Sequence, residues 1–153
     1  MTKPNPINPT DDAALTLAVD LLTKTRFGAL AVILRDATPY VARTAMIWDG
    51  AALLTLISTL STHTGALLDN PACSALIGEP GDKGDPLTHP RMTLQCTAAQ
   101  VDKAAHKDQW LAAIPKAQLY YDFTDFLMIR LAPDAIHLNG GFGKAYRLGP
   151  DDL

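Results

Sequence analysis

The chain has 153 residues, of which 48% are hydrophobic and 19% charged, so it is predicted to fold around a core rather than to stay disordered. Its formal net charge is −3 and it contains no run of Lys or Arg, which argues against a nucleic-acid-binding surface. The longest apolar run, residues 28–34, is too short to cross a bilayer, and the polar start lacks an apolar signal core. A soluble, cytoplasmic, single-domain protein is therefore expected.

The first half of the chain predicts one helix and then a series of strands. Residues 1–9 contain three prolines and are interpreted as a flexible arm. Thr10 is the predicted cap of an amphipathic helix that runs to about residue 26, with acidic residues in its first turn. The predicted strands are 27–34, 40–48 and 51–58. Asp49-Gly50 is the hairpin signal between the second and third of them.

The second half predicts two more helices and four more strands. The short helix is 63–70 and the longer one 102–113, and the strands are 72–79, 91–101, 125–131 and 135–139. A long loop spans 80–90, and Pro133-Asp134 is the predicted turn between the last two strands. Strands in hairpin order with flanking helices predict a small α+β barrel, a single domain over residues 10–153.

The two cysteines, Cys73 and Cys96, each fall in a predicted strand. They have neither the spacing of a metal site nor the pattern of a disulfide scaffold. Two buried free thiols are therefore favoured over a disulfide.

A segment rich in hydroxyl groups, residues 58–64, leads from the third strand into the short helix. Hydroxyls and the backbone N–H groups of a helix start are groups that bind phosphate. Arg43 lies in the middle of the neighbouring strand, where a charge is costly unless it is paired. Two interpretations stay open for Arg43: it lies on a solvated face, or it enters a cleft and meets an anion.

Arg91 begins the fifth strand, directly after a loop in which Pro86 and Pro90 restrict the backbone. A rigidly presented guanidinium suits bidentate contact with a phosphate. The alternative is a structural pair with Asp85 or another carboxylate. With the hydroxyl-rich segment, Arg91 predicts one phosphorylated ligand held between elements.

These segments together resemble a known family. Besides Ser58–Thr64, the segments that carry the resemblance are Asn70-Pro71, Gly84-Asp85-Pro86-Leu87, Pro90-Arg91-Met92-Thr93-Leu94 and Gly140-Gly141-Phe142-Gly143-Lys144-Ala145. They are similar to the pyridoxamine 5′-phosphate oxidase-like, FMN-binding split-barrel family, specifically its HugZ/HutZ-type haem-utilisation branch. The resemblance covers residues 10–153. It implies an α+β fold, a six-stranded antiparallel split β-barrel that forms a homodimer with FMN at the interface.

The resemblance also implies, by motif position, which residues contact the ribityl-phosphate or flavin edge of FMN. They are Arg43, Thr44, Ser58, Thr59, His63, Thr64 and Arg91. No metal site is expected, and no general acid or base is assigned. The implied function is a flavin-dependent oxidoreductase of unknown substrate, with the flavin supplying the chemistry.

Two alternatives to the flavoenzyme stay open. One is a haem-binding or haem-utilisation protein on the same barrel, with His89, His106 and His137 as candidate ligands. No pair of these histidines has a helical ligand spacing. The family's haem-degrading members use a histidine from an additional C-terminal segment, which this chain is expected to lack. The other alternative is a non-catalytic scaffold that has lost its flavin.

Overall fold

The computed structural model describes residues 3–153. The strands of this part are β1 (Phe27–Ile33), β2 (Pro39–Trp48), β3 (Leu53–Ser58), β4 (Ala72–Ile77), β5 (Arg91–Val101), β6 (Phe126–Asn139) and β7 (Ala145–Leu148). Its α-helices are α1 (Asp12–Lys24), α2 (Thr62–Asp69) and α3 (Lys107–Ala113). Across residues 3–153, no helix combines the length and the apolar character that a bilayer span requires.

Six of the strands close into an antiparallel barrel. The strand order is β3-β2-β1-β4-β5-β6, and β3 also pairs with β6 to complete the closure. The first half of β6 pairs with β3. The second half of β6 extends beyond β3 and pairs with β7. This architecture confirms the expected α+β fold with a six-stranded split barrel.

The core follows from the alternation of side chains along the strands. Leu30, Leu94 and Ile136 point into the barrel and are fully buried. Helix α1 packs on the same core through a small and apolar stripe that includes Ala18 and Leu22. A second apolar cluster lies on the outside of β2, β3 and β6, where Trp110 of α3 is fully buried among residues of those strands.

The predicted turn at Pro133-Asp134 is wrong, because β6 runs without interruption from Phe126 to Asn139. The register against β5 shifts between Gln95 and Cys96, so that β6 accommodates one extra residue at this point. Such a bulge accepts a proline inside a strand, since the pairing there does not require a regular N–H donor.

Further differences from the sequence predictions concern α1, α3 and β7. Asp11 caps α1 by accepting a hydrogen bond from the Ala14 N–H at 2.8 Å, whereas the Thr10 hydroxyl donates instead to the Arg147 carbonyl. The predicted helix 102–113 is a 3₁₀ turn followed by the shorter α3. Strand β7 was not predicted, and the glycine-rich run 140–143 is its hairpin connection to β6.

Part of the N-terminal arm lies along β7. Ile7 forms a parallel bridge with Ala145, and the Asn8 N–H donates to the Ala145 carbonyl at 2.8 Å. The Asn8 side-chain amide also donates to the Gly143 carbonyl at 2.7 Å. The arm is thereby fixed to the glycine-rich connection.

Candidate functional site

Arg43 lies on the outer face of β2 and is exposed. Its guanidinium carbon is 5.7 Å from the centroid of the Phe27 ring, within the range of a cation–π contact. Both residues line a cavity of about 180 Å³, to which Gly78 and Glu79 contribute from the end of β4. Among residues 3–153, Arg43 forms no ion pair with a carboxylate. Its charge is therefore available to an anionic ligand.

Thr44 points to the opposite side of the strand from Arg43, because adjacent residues of a strand face opposite sides. It is buried inside the barrel at 6% exposure. The hydroxyls of Thr44 and Thr55 are 3.1 Å apart, and Thr55 donates to the Ala45 carbonyl at 2.7 Å. The Thr44 hydroxyl thus belongs to the interior and is separated from the face that carries Arg43.

Ser58 and Thr59 lie at the end of β3, where Asp125 is their partner. The Ser58 hydroxyl donates to the Asp125 carboxylate at 2.7 Å, and the Thr59 N–H donates to the Asp125 carbonyl at the same distance. The Leu60 N–H donates to Ser58 Oγ at 3.1 Å. A phosphate at this position would meet a carboxylate, which repels it.

His63 and Thr64 occupy the first turn of α2. Thr64 is fully buried, its hydroxyl donates to the Ser58 carbonyl at 2.5 Å, and its N–H donates to the Ser61 carbonyl at 3.2 Å. Neither donor of Thr64 is free for a ligand. His63 is half-buried, and this desolvation lowers the pKa of its imidazole, which favours the neutral ring.

Arg91 is held by backbone carbonyls of the preceding loop. Its Nη1 donates to the Leu87 carbonyl at 2.6 Å and lies 3.4 Å from the His89 carbonyl. The predicted alternative pair with Asp85 is not formed, since that carboxylate accepts a hydrogen bond from the Leu87 N–H at 2.9 Å and forms no ion pair within residues 3–153. Arg91 instead lines a separate cavity of about 330 Å³ together with the glycine-rich connection.

The structure therefore divides the predicted set into four places, one of which is the barrel interior with Thr44. Ser58, Thr59, His63 and Thr64 lie together at the start of α2. Arg43 lies on β2, and the strands β1 and β4 separate it from Arg91 on β5. The two arginine cavities share no lining residue. Contact of these residues with FMN stays a prediction.

Two features of the region were not predicted from the sequence. Asp125 is the partner of Ser58 although 67 residues separate them, and no local pattern indicates such a pairing. The second feature is a continuous row on the outer face of the sheet, one residue from each of six strands. The row consists of Arg43, Ala29, Leu76, Thr93, His137 and Arg147.

The outer face around this row exposes large apolar side chains. Those that share the face are Val41 at 64% exposure, Leu76 at 47%, Phe27 at 42% and Ile33 at 39%. His137 lies in the row beyond Leu76, with its Nε2 3.1 Å from Gln95 Oε1. An apolar surface of this kind, flanked by cationic groups, is typical of a face that binds a partner or a ligand.

Cys73 and Cys96 face each other on β4 and β5 and are both free and buried, as the sequence predicts. Burial raises the pKa of the Cys73 thiol to about 11 and also raises that of Cys96, so both stay protonated near neutral pH. Within residues 3–153 no group of His, Cys, Asp and Glu side chains is arranged to hold a metal ion.

No protein-family model matches the chain. The non-canonical heme oxygenase HOZ, chloroplastic, of Arabidopsis thaliana is 38% identical over 102 residues, which make up 64% of this chain and 30% of that protein. The chain thus spans less than a third of the curated relative that it matches. A solved chain with a TM-score of 0.86 is 32% identical, and the match covers 95% of this chain and 98% of the other.

Two further solved structures are similar in fold. The heme binding protein from Mycobacterium smegmatis is 23% identical over 99% of this chain and 61% of its own, with a TM-score of 0.84. A pyridoxinephosphate oxidase family protein from Clostridium acetobutylicum, related to general stress protein 26, is 14% identical over 94% of this chain and 99% of its own, with a TM-score of 0.73. At these identities the likeness concerns the fold alone.

Proposed function

We propose that this split-barrel chain is a haem-binding protein of the haem-utilisation type. In this proposal two copies pair through the outer face of β1, β2 and β4, and haem lies against that face. The row of residues from Arg43 through Leu76 to His137 and Arg147 is the observation that carries the proposal.

The chemistry of the row suits a tetrapyrrole. Haem is a broad apolar plate with two carboxylates, so it needs exposed apolar side chains next to cations. Leu76 and Val41 supply the apolar surface, and Arg43, two residues from Val41 on β2, supplies a cation next to it. His137 adds an imidazole on the same face. When bound, haem supplies redox and oxygen chemistry through its iron, while these residues bind and orient it.

The curated relative supports haem over flavin. The Arabidopsis protein, 38% identical over 102 residues, is named as a heme oxygenase. The hydroxyl-rich segment supports flavin less well, because its Ser58 hydroxyl donates to Asp125 and its Thr64 donors are used internally. FMN is the second candidate, favoured by the unpaired Arg43 guanidinium beside Phe27 at a small cavity.

Absorption spectroscopy tests the proposal. Haemin titrated into the purified chain should give a saturable Soret band, whereas FMN should be bound weakly or not at all. Arg43→Gln should weaken haemin binding by about tenfold, the value of one charge-assisted contact. Arg35→Gln is the matched control, since Arg35 is exposed and pairs with Asp69 beyond the end of β1.

Dimerisation through the same face is tested by Val41→Glu. Val41 is 64% exposed, so the barrel should tolerate the charge while the apolar interface should not. Light scattering should then report a monomer with reduced haemin affinity, whereas Leu119→Glu, at an 82% exposed position outside this face, should behave as wild type. Unchanged haemin affinity in both Arg43→Gln and Val41→Glu would exclude this face as the haem site.

A further inference from the structure

We propose that the cavity between the glycine-rich connection and the loop before β5 binds an oxyanion carried on an apolar or aromatic body. The cavity has a volume of about 330 Å³, and its lining shares no residue with the row that carries Arg43. The proposal does not depend on haem binding. Its ligand class follows from the cavity's walls, its charges and its free backbone donors.

Three distant segments of the chain build the cavity. Pro6 of the N-terminal arm forms one wall, Leu87 and Arg91 form the second, and Asn139 with residues 141–145 forms the third. Hydrogen bonds from Asn8 to the Gly143 and Ala145 carbonyls fix the arm to the third wall. The cavity is therefore a product of tertiary structure and not a gap in one loop.

The second and third walls approach each other closely at Gly141. A Cβ on Gly141 would lie 3.2 Å from the Thr88 carbonyl oxygen, and the φ of +125° at Gly141 also strains any other residue. Gly143, at φ +71°, likewise uses the left-handed region. The two glycines allow the connection to fold tightly over the cavity.

The charges of the cavity are cationic and uncompensated. Arg91 uses only Nη1 for the loop carbonyls, and within residues 3–153 its Nε and Nη2 have no hydrogen-bond partner. Lys144 is exposed and forms no ion pair in this part of the chain. No Asp or Glu is among the described residues that line the cavity, in contrast to the Arg43 cavity, which Glu79 lines.

Backbone donors add to these two cations. The N–H groups of Phe142 and Gly143 have no acceptor within residues 3–153. Successive free N–H groups beside a guanidinium and an ammonium are the donor set that recognises phosphate or carboxylate oxygens. Anion recognition at this place therefore has two cations and two backbone N–H groups of lining residues without an acceptor in the described chain.

The remaining lining is apolar and exposed. Phe142 is 78% exposed and Leu87 60% exposed, so both present apolar surface at the cavity. The cavity is also larger than a lone phosphate requires. An aromatic or apolar group attached to the anion would fill this space and cover both side chains.

Phenyl phosphate is the probe, because it carries a dianionic phosphate on an aromatic ring. Titration into ¹⁵N-labelled protein should give saturable shifts of the amide resonances of residues 140–144. Inorganic phosphate should shift the same amides with at least about threefold weaker affinity, because it cannot contact Phe142 and Leu87. Benzoate in place of phenyl phosphate distinguishes a carboxylate site from a phosphate site.

Arg91→Gln and Lys144→Gln should each weaken phenyl phosphate binding by about tenfold. Lys116→Gln is the matched control, since Lys116 is an exposed cation that forms no ion pair within residues 3–153 and does not line the cavity. Lys144 is exposed, so its variant will fold even if the Arg91 variant does not. The proposal would be overturned if neither phenyl phosphate nor benzoate gave saturable shifts. Equal affinities of Lys144→Gln and wild type for phenyl phosphate would also overturn it.

Discussion

The hydroxyl of Ser58 donates a hydrogen bond of 2.7 Å to the carboxylate of Asp125, joining the end of β3 to the residue that precedes β6. The Thr59 N–H donates to the backbone carbonyl of the same aspartate. The end of β3 is thus connected twice to a single acidic residue. This arrangement decides how the hydroxyl-rich segment can act, because an anionic ligand there must compete with a carboxylate.

Asp125→Asn should therefore raise the affinity for FMN. Removing one negative charge near an approaching phosphate should strengthen binding by about two- to fivefold, the scale of a partly exposed charge interaction. Quenching of flavin fluorescence measures the affinity. Asp122→Asn is the control, since Asp122 is exposed and pairs with Lys107. If both variants bind FMN like wild type, the phosphate does not approach the end of β3.

Thr64→Val should destabilise the fold by about 1–2 kcal/mol, because it removes a buried hydrogen bond while keeping the shape of the side chain. The hydroxyl of Thr64 donates to the Ser58 carbonyl and is fully buried. Thr59→Val, at an exposed position whose hydroxyl has no partner within residues 3–153, should change the free energy of unfolding by less than about 0.5 kcal/mol. Denaturant unfolding of the two variants measures the difference, and equal values would show that the buried hydroxyl contributes nothing.

The barrel could be predicted from the sequence because its strands are bounded by local signals. Asp49-Gly50 marks the β2–β3 hairpin, and β5 begins and ends at the predicted residues, Arg91 and Val101. The error at Pro133 has a physical reason: a proline indicates a turn unless a bulge removes the need for its N–H, and that bulge depends on the partner strand. Pairing partners are not a local property.

The site was harder to predict for the same reason. Sequence chemistry gave anion binding as one of two interpretations for both Arg43 and Arg91, and both are free of carboxylate partners within residues 3–153. Their separation by two strands follows from the strand order, which spacing along the chain does not determine. The inward direction of Thr44 and Thr64 depends on which face of each element the core covers. Hydroxyl-rich composition cannot distinguish a ligand site from internal hydrogen bonding.

Gly28→Ala should destabilise the fold by about 1–3 kcal/mol, because the added methyl would overpack the barrel. Its Cβ would lie 2.8 Å from the Leu76 carbonyl oxygen and 3.0 Å from the sulfur of Met46. Gly65→Ala is the matched control, for which the free energy of unfolding should change in the opposite direction. Gly65 lies in α2, and a methyl group added there would have no neighbouring atom within 4 Å, so alanine should stabilise the helix by about 0.5–1 kcal/mol. Thermal unfolding should move in opposite directions for the two variants, and a shared direction would contradict this packing argument.

The half-buried His63 should make the stability of the fold depend on pH. Desolvation lowers the pKa of its imidazole below the ordinary value of 6.5, so the unfolded chain binds a proton at His63 more readily than the folded chain does. Folding is then favoured above the unfolded pKa, and stability is lost as the pH falls through and below about 6.5. His63→Asn should reduce the loss of stability between about pH 7.5 and pH 5.5, as measured by denaturant unfolding. His106→Asn is the control, because this substitution also removes one imidazole from the chain, but at a different helical segment. An unchanged pH dependence in His63→Asn would show that burial of this ring does not favour its neutral form.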